Sequence, residues 1–104
     1  MRREKHPTFY TDWMLVARQF VVRGRVQGVG FRFFTERAAR AEGLSGWVRN
    51  REDGCVEALV EGDRESVDRF ERQLRRGPAS ARVESVEMID AAPSSRASGF
   101  QIRS

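Results

Sequence analysis

Cysteine, histidine and lysine are almost missing from this 104-residue sequence, each occurring once, as Cys55, His6 and Lys5. One cysteine cannot close an internal disulfide, and one cysteine with one histidine cannot supply the ligands of a zinc centre. The same scarcity removes catalytic triads and Cys–His pairs, so neither a metal nor a cofactor is expected. No apolar run approaches the ~18 residues of a membrane span. The first twenty residues start basic but lack an apolar segment followed by a small-residue cleavage site, so no secretory signal is read and the expected location is cytoplasmic, without a membrane.

What is present suits one small soluble domain, with 39% hydrophobic and 33% charged residues. The net charge is +4, and every basic residue except Lys5 is arginine. A basic balance favours an anionic partner, either nucleic acid, a phosphorylated small molecule or a membrane surface. The arginines are scattered among Glu and Asp, however, and form no block of like charge.

Residues 1–15 show no clear period and read as a flexible N-terminal extension before a domain spanning 16–104. From Gln19 to Val26 the pattern alternates, with Phe20, Val22 and Val26 on one side and Arg23 and Arg25 on the other, which predicts a strand. A helix is expected from Phe33 to Glu42, with Phe34, Ala38 and Ala41 on its buried face and Gly43 as its stop. "GWVRN" (46–50) and "CVEALVEG" (55–62) read as a hairpin around the turn Asp53-Gly54. Val56, Ala58 and Val60 should share one face of its second strand. Asp63 is placed to cap a second helix carrying Val67, Phe70 and Leu74 at helical spacing and ending at Gly77-Pro78. A strand from Arg82 to Ile89, a loop and a short strand from Phe100 to Arg103 complete the chain. The order β-α-β-β-α-β, plus a last short strand, predicts a ferredoxin-like α+β sandwich, an antiparallel sheet with both helices on one face.

The stretch "GRVQGVGFR" (24–32) falls where the first strand hands over to the first helix. Gly28 and Gly30 allow successive backbone N–H groups to converge on an anion. A helix starting just after Arg32 would add its own free N–H groups, and Arg32 a two-pronged donor matched to phosphoryl oxygens. The third glycine of the dinucleotide fingerprint is missing, and no Gly-Lys-Ser/Thr follows. On these nine residues alone, a structural turn and a phosphate cradle stand equal.

Taken with "GWVRNREDGCVEALVEG" (46–62), the stretch "VRGRVQGVGFR" (22–32) resembles the two motifs of the acylphosphatases, in order and in separation. The resemblance runs from about Arg18 to Arg103. It implies hydrolysis of acyl phosphates to carboxylate and inorganic phosphate, without metal or cofactor. No nucleic-acid partner is expected, and nothing in the sequence suggests an obligate oligomer, so a monomer is expected. The resemblance also implies that Arg32 binds the phosphoryl group and that Asn50 orients the attacking water. Arg25, Val26, Gln27, Gly28, Val29, Gly30 and Phe31 would line the substrate phosphate through the loop backbone. Such a site suits an activated substrate, because a carboxylate leaves without a general acid.

Several of these residues have plainer readings. Asn50 could simply open the turn, Cys55 could be a strand residue without chemistry, and Phe31, Phe33, Phe34 and Trp47 are expected to pack in the core or on the sheet. The rival function is a basic ferredoxin-like module binding single-stranded RNA, or a phosphorylated ligand, without turnover.

Overall fold

The computed structural model describes residues 15–94 and 98–104. Apart from Leu15, the expected extension, with His6, lies outside the described residues. Strand β1 (Leu15–Arg25) is followed by helix α1 (Phe31–Ala41), strands β2 (Ser45–Asn50) and β3 (Val56–Asp63), helix α2 (Arg64–Arg76), and strands β4 (Arg82–Ala91) and β5 (Phe100–Arg103). The sheet order is β4-β1-β3-β2-β5. The four long strands pair antiparallel, and β5 joins the far edge parallel to β2. The result is the expected two-layer α+β sandwich, with a mixed fifth strand.

Alternation explains why these segments are strands. Phe20, Val22, Val48, Val56, Ala58 and Val60 are all fully buried and point at the helices. Val67, Phe70 and Leu74 of α2 meet them, with Phe20 and Phe70 at 5.8 Å between ring centroids. Each such phenylalanine contributes roughly 1.5–3 kcal/mol by leaving water. Helix α1 buries Phe31, Thr35, Ala38 and Ala39, and half-buries Phe34. Ala41, expected on that face, is exposed, and so is Phe33. Because Phe31 inserts its ring into the core, the helix starts two residues earlier than expected, and this turns the buried face away from 33 and 41.

Helix ends follow the sequence with one exception. Gly43 and Leu44 donate to the carbonyls of Arg40 and Ala39 and close α1, and Gly77 donates to Gln73 at the end of α2. Asp63 occupies the cap position of α2, but its side chain makes no capping hydrogen bond.

Gly24 answers a different demand from the glycines beyond it. The pairing of β1 with β4 shifts register between Arg23 and Gly24, and a Cβ at Gly24 would stand 2.2 Å from the Arg82 carbonyl oxygen. The neighbouring backbone leaves room for hydrogen only. Beyond it, β4 forms one edge of the sheet and exposes Met88 and Ile89 among charged neighbours.

Candidate active site

Strands β1 and β2 are both antiparallel to β3, so they run in the same direction and finish at the same end of the sheet. Only β3 lies between them, which at the usual spacing separates the two ends by about 10 Å. The loop leaving β1 and the turn leaving β2 therefore face each other.

Gly28 and Gly30 of that loop have φ of 75° and 77°, in the left-handed region, and a Cβ at either would meet nothing within 4 Å. Conformation rather than crowding requires glycine here, and the space in front of the loop stays open. Gly30 is also the residue from which α1 starts. Its carbonyl accepts the N–H of Phe34 at 3.0 Å, no side chain caps this end, and the first turn holds no acidic residue. The N–H groups of Phe31, Arg32 and Phe33 thus precede the first intrahelical bond. The helix begins before Arg32 rather than after it, which places the guanidinium inside the first turn.

A pocket of about 220 Å³ opens at this junction. It is lined by Val26, Gly28, Gly30, Phe31, Arg32, Phe33 and Asn50. Three expected cradle residues are not on its wall. Arg25 remains in β1, opposite Arg82 of β4. Val29 packs against the core while its carbonyl accepts the Ser80 hydroxyl at 2.8 Å. The Gln27 amide leaves the pocket and donates to the carbonyls of Arg51 and Cys55, at 2.8 and 2.9 Å. That pair of bonds ties the glycine loop to the turn carrying Asn50, an anchoring role that the sequence motif did not disclose.

The turn does not depend on the Asn50 side chain. Arg51 N–H donates to the Cys55 carbonyl at 2.8 Å, Gly54 N–H to the Arg51 carbonyl at 3.2 Å, and Cys55 N–H to Asp53 Oδ1 at 3.1 Å. The Cys55 N–H, with Arg51 in support, holds the Asp53 carboxyl below its ordinary pKa. Among the described residues the Asn50 amide has no side-chain partner and is left to the pocket.

Arg32 is half-buried, and its Nη1 donates to the Arg103 carbonyl at 3.3 Å, so the last strand steadies it. No carboxylate among the described residues pairs with it. The pocket wall carries no carboxylate, imidazole or amine. The buried carboxylate Glu57 points to the opposite sheet face, where it accepts from Gln19 and from Arg49 Nε. Cys55 is buried behind the turn, where Arg23 Nη1 lies 3.2 Å from its sulfur, and burial pushes its thiol pKa up. Among the described residues, no three His, Cys, Asp or Glu side chains gather as metal ligands. The arrangement is a small, positively biased cradle with one free amide at its rim.

Known proteins share both the sequence and the fold. The family model described as Acylphosphatase matches residues 18–102. The acylphosphatase of Koribacter versatilis (strain Ellin345) is 51% identical over 85 residues, which cover 82% of this chain and 77% of that protein. The acylphosphatase of Azoarcus sp. (strain BH72) is 52% identical over 89 residues, covering 86% and 90% respectively. Among solved structures, the acylphosphatase from Bacillus subtilis superposes with a TM-score of 0.83 at 35% identity, over 88% of this chain and 100% of that one.

Proposed function

This chain belongs to the acylphosphatase family, and from that premise we propose how its pocket divides the work. The enzyme hydrolyses the carboxyl–phosphate bond of acyl phosphates, producing a carboxylate and inorganic phosphate. In our reading, the open N–H groups from Gly28 to Phe33 and the fork of Arg32 hold the phosphoryl oxygens. Charge on those oxygens is then met by donors already in place, without reorganisation. The Asn50 amide, across the pocket, holds a water in line with the bond that breaks. The water oxygen bonds to phosphorus as the acyl oxygen leaves with the bonding electrons. With no proton acceptor on the pocket wall, a phosphoryl oxygen of the substrate takes the water's proton. The carboxylate leaves unprotonated, so no general acid is needed.

The observation that carries this reading is the meeting of Gly28, Gly30, Arg32 and Asn50 in one small pocket. Asn50→Ala tests it. Turnover should fall by roughly 10²–10³-fold, the usual loss for one preorganised polar group. Competitive inhibition by inorganic phosphate should stay near normal, because the cradle is untouched. Near-normal kcat in a folded Asn50→Ala enzyme would refute the assignment. The proposed reaction runs without a metal ion, so EDTA should leave activity unchanged.

We further infer a cytoplasmic monomer. The pocket is complete within one chain, and no helix among the described residues is long and apolar enough to cross a membrane. Residues 1–15 are inferred to be an extension dispensable for turnover, because the family match starts only at residue 18. A chain starting at Met14 should melt cooperatively and keep its kcat, and loss of the cooperative transition would place the extension in the core.

A further inference from the structure

Among the described residues four large hydrophobic side chains are exposed, and three of them, Leu15, Met88 and Ile89, lie on strands away from the pocket. The fourth, Phe33, is 61% exposed on the first turn of α1 and lines the pocket beside Arg32 and Asn50. Its neighbours Phe31 and Phe34 pack edge to face at 5.7 Å and turn inward, whereas Phe33 has no ring partner among the described residues. One turn further on, the same side of the helix carries the exposed Arg37. Helix packing therefore gives no reason for an aromatic ring at 33.

The pocket supplies one. At about 220 Å³ it is below the size of sites that enclose a whole drug-sized ligand. A phosphoryl group and its water take up only part of such a volume, so the acyl half of the substrate lies in the rest of the pocket, against its apolar lining. Val26 and Phe31 are almost wholly buried, which leaves Phe33 as the exposed apolar surface of the lining.

We propose that Phe33 is a specificity-determining residue on which the acyl half of the substrate rests, so that aromatic and extended apolar acyl phosphates are favoured over acetyl phosphate. This rests on the acyl-phosphate reading above and concerns the half of the substrate that the cradle does not hold. The contact lies away from the bond that breaks and is equally present before and during reaction. It therefore acts on KM rather than on kcat.

The test is kcat and KM for benzoyl phosphate and acetyl phosphate in the full chain and in Phe33→Ala and Phe33→Tyr, with phosphate inhibition and a thermal melt for each. Phe33→Ala should raise KM for benzoyl phosphate about tenfold, the scale of one lost aromatic contact. KM for acetyl phosphate and the phosphate inhibition constant should change several times less than KM for benzoyl phosphate, because alanine keeps the N–H at 33 that the cradle uses. Phe33→Tyr should restore the preference. Equal loss on both substrates, or no loss on either, overturns the proposal and leaves the hydrolase reading standing. If the unaltered enzyme hydrolyses neither substrate, the hydrolase reading falls first, and this one with it.

Discussion

The two helices begin in opposite ways. Helix α2 starts from Asp63, sets Glu65 beside Arg64 in its first turn and ends with Arg75 and Arg76, so the balance of its charge complements its dipole at both ends. Helix α1 starts from a left-handed glycine, has no acidic residue in its first turn and puts a cation there, Arg32. A cation at that end costs about 0.3–1 kcal/mol. Neither helix has a side-chain cap, but one meets its positive end with carboxylates of its own chain and the other with none. The contrast draws attention to the junction of β1 and α1, where a left-handed glycine opens the helix and no carboxylate accompanies the cation in the first turn.

The sharpest way to break the contrast is Arg32→Lys. It keeps the charge but loses the planar fork. Turnover should drop by about 10²-fold and phosphate inhibition weaken with it, while the melt stays in place, because the lost group serves the ligand rather than the fold. Unchanged phosphate inhibition would show that the fork does not touch the phosphoryl group. Gly30→Ala comes next. A side chain at φ 77° costs about 1–2 kcal/mol, so the melting temperature should fall by at least about 4 °C. Its Cβ would also project into the open cradle, so phosphate inhibition should weaken severalfold more than the melt alone explains. The smallest effect is expected at the start of α2. Glu65→Gln should lower stability by about 0.3–1 kcal/mol, less at high salt, with no change in kcat.

The sequence was most readable where burial is repeated. Val56, Ala58 and Val60 at period two, and Val67, Phe70 and Leu74 at helical spacing, are all fully buried as expected. It was less readable on α1, where alanine and threonine fit either face. Ala39 and Thr35 are buried while Ala41 is exposed. The glycine run hid the true start of that helix, because only the burial of Phe31 extends it to residue 31. Phe33 could have been found, since the face drawn through 34, 38 and 41 already left it outside. The direction of β5 was not legible, because four residues carry no directional pattern and only pairing with β2 sets it. For the site, Arg32 and Asn50 were legible as motif residues. Their convergence needed the strand order that separates β1 from β2 by β3 alone. The side-chain route of Gln27 depends on the facing turn and is written nowhere in its own motif.

Strand β4, the free edge opposite β5, has a colloidal consequence. Its ten residues offer unpaired backbone groups to any passing chain, and Met88 and Ile89 would reward the contact. What discourages it is the row of carboxylates at Glu84, Glu87 and Asp90, all exposed along the same edge. Two copies meeting edge to edge would bring like charges together. The edge is therefore guarded by like charge, and the guard weakens as salt screens it. At high salt, self-association would begin at β4, on the far side of β1 from the turn that carries Asn50.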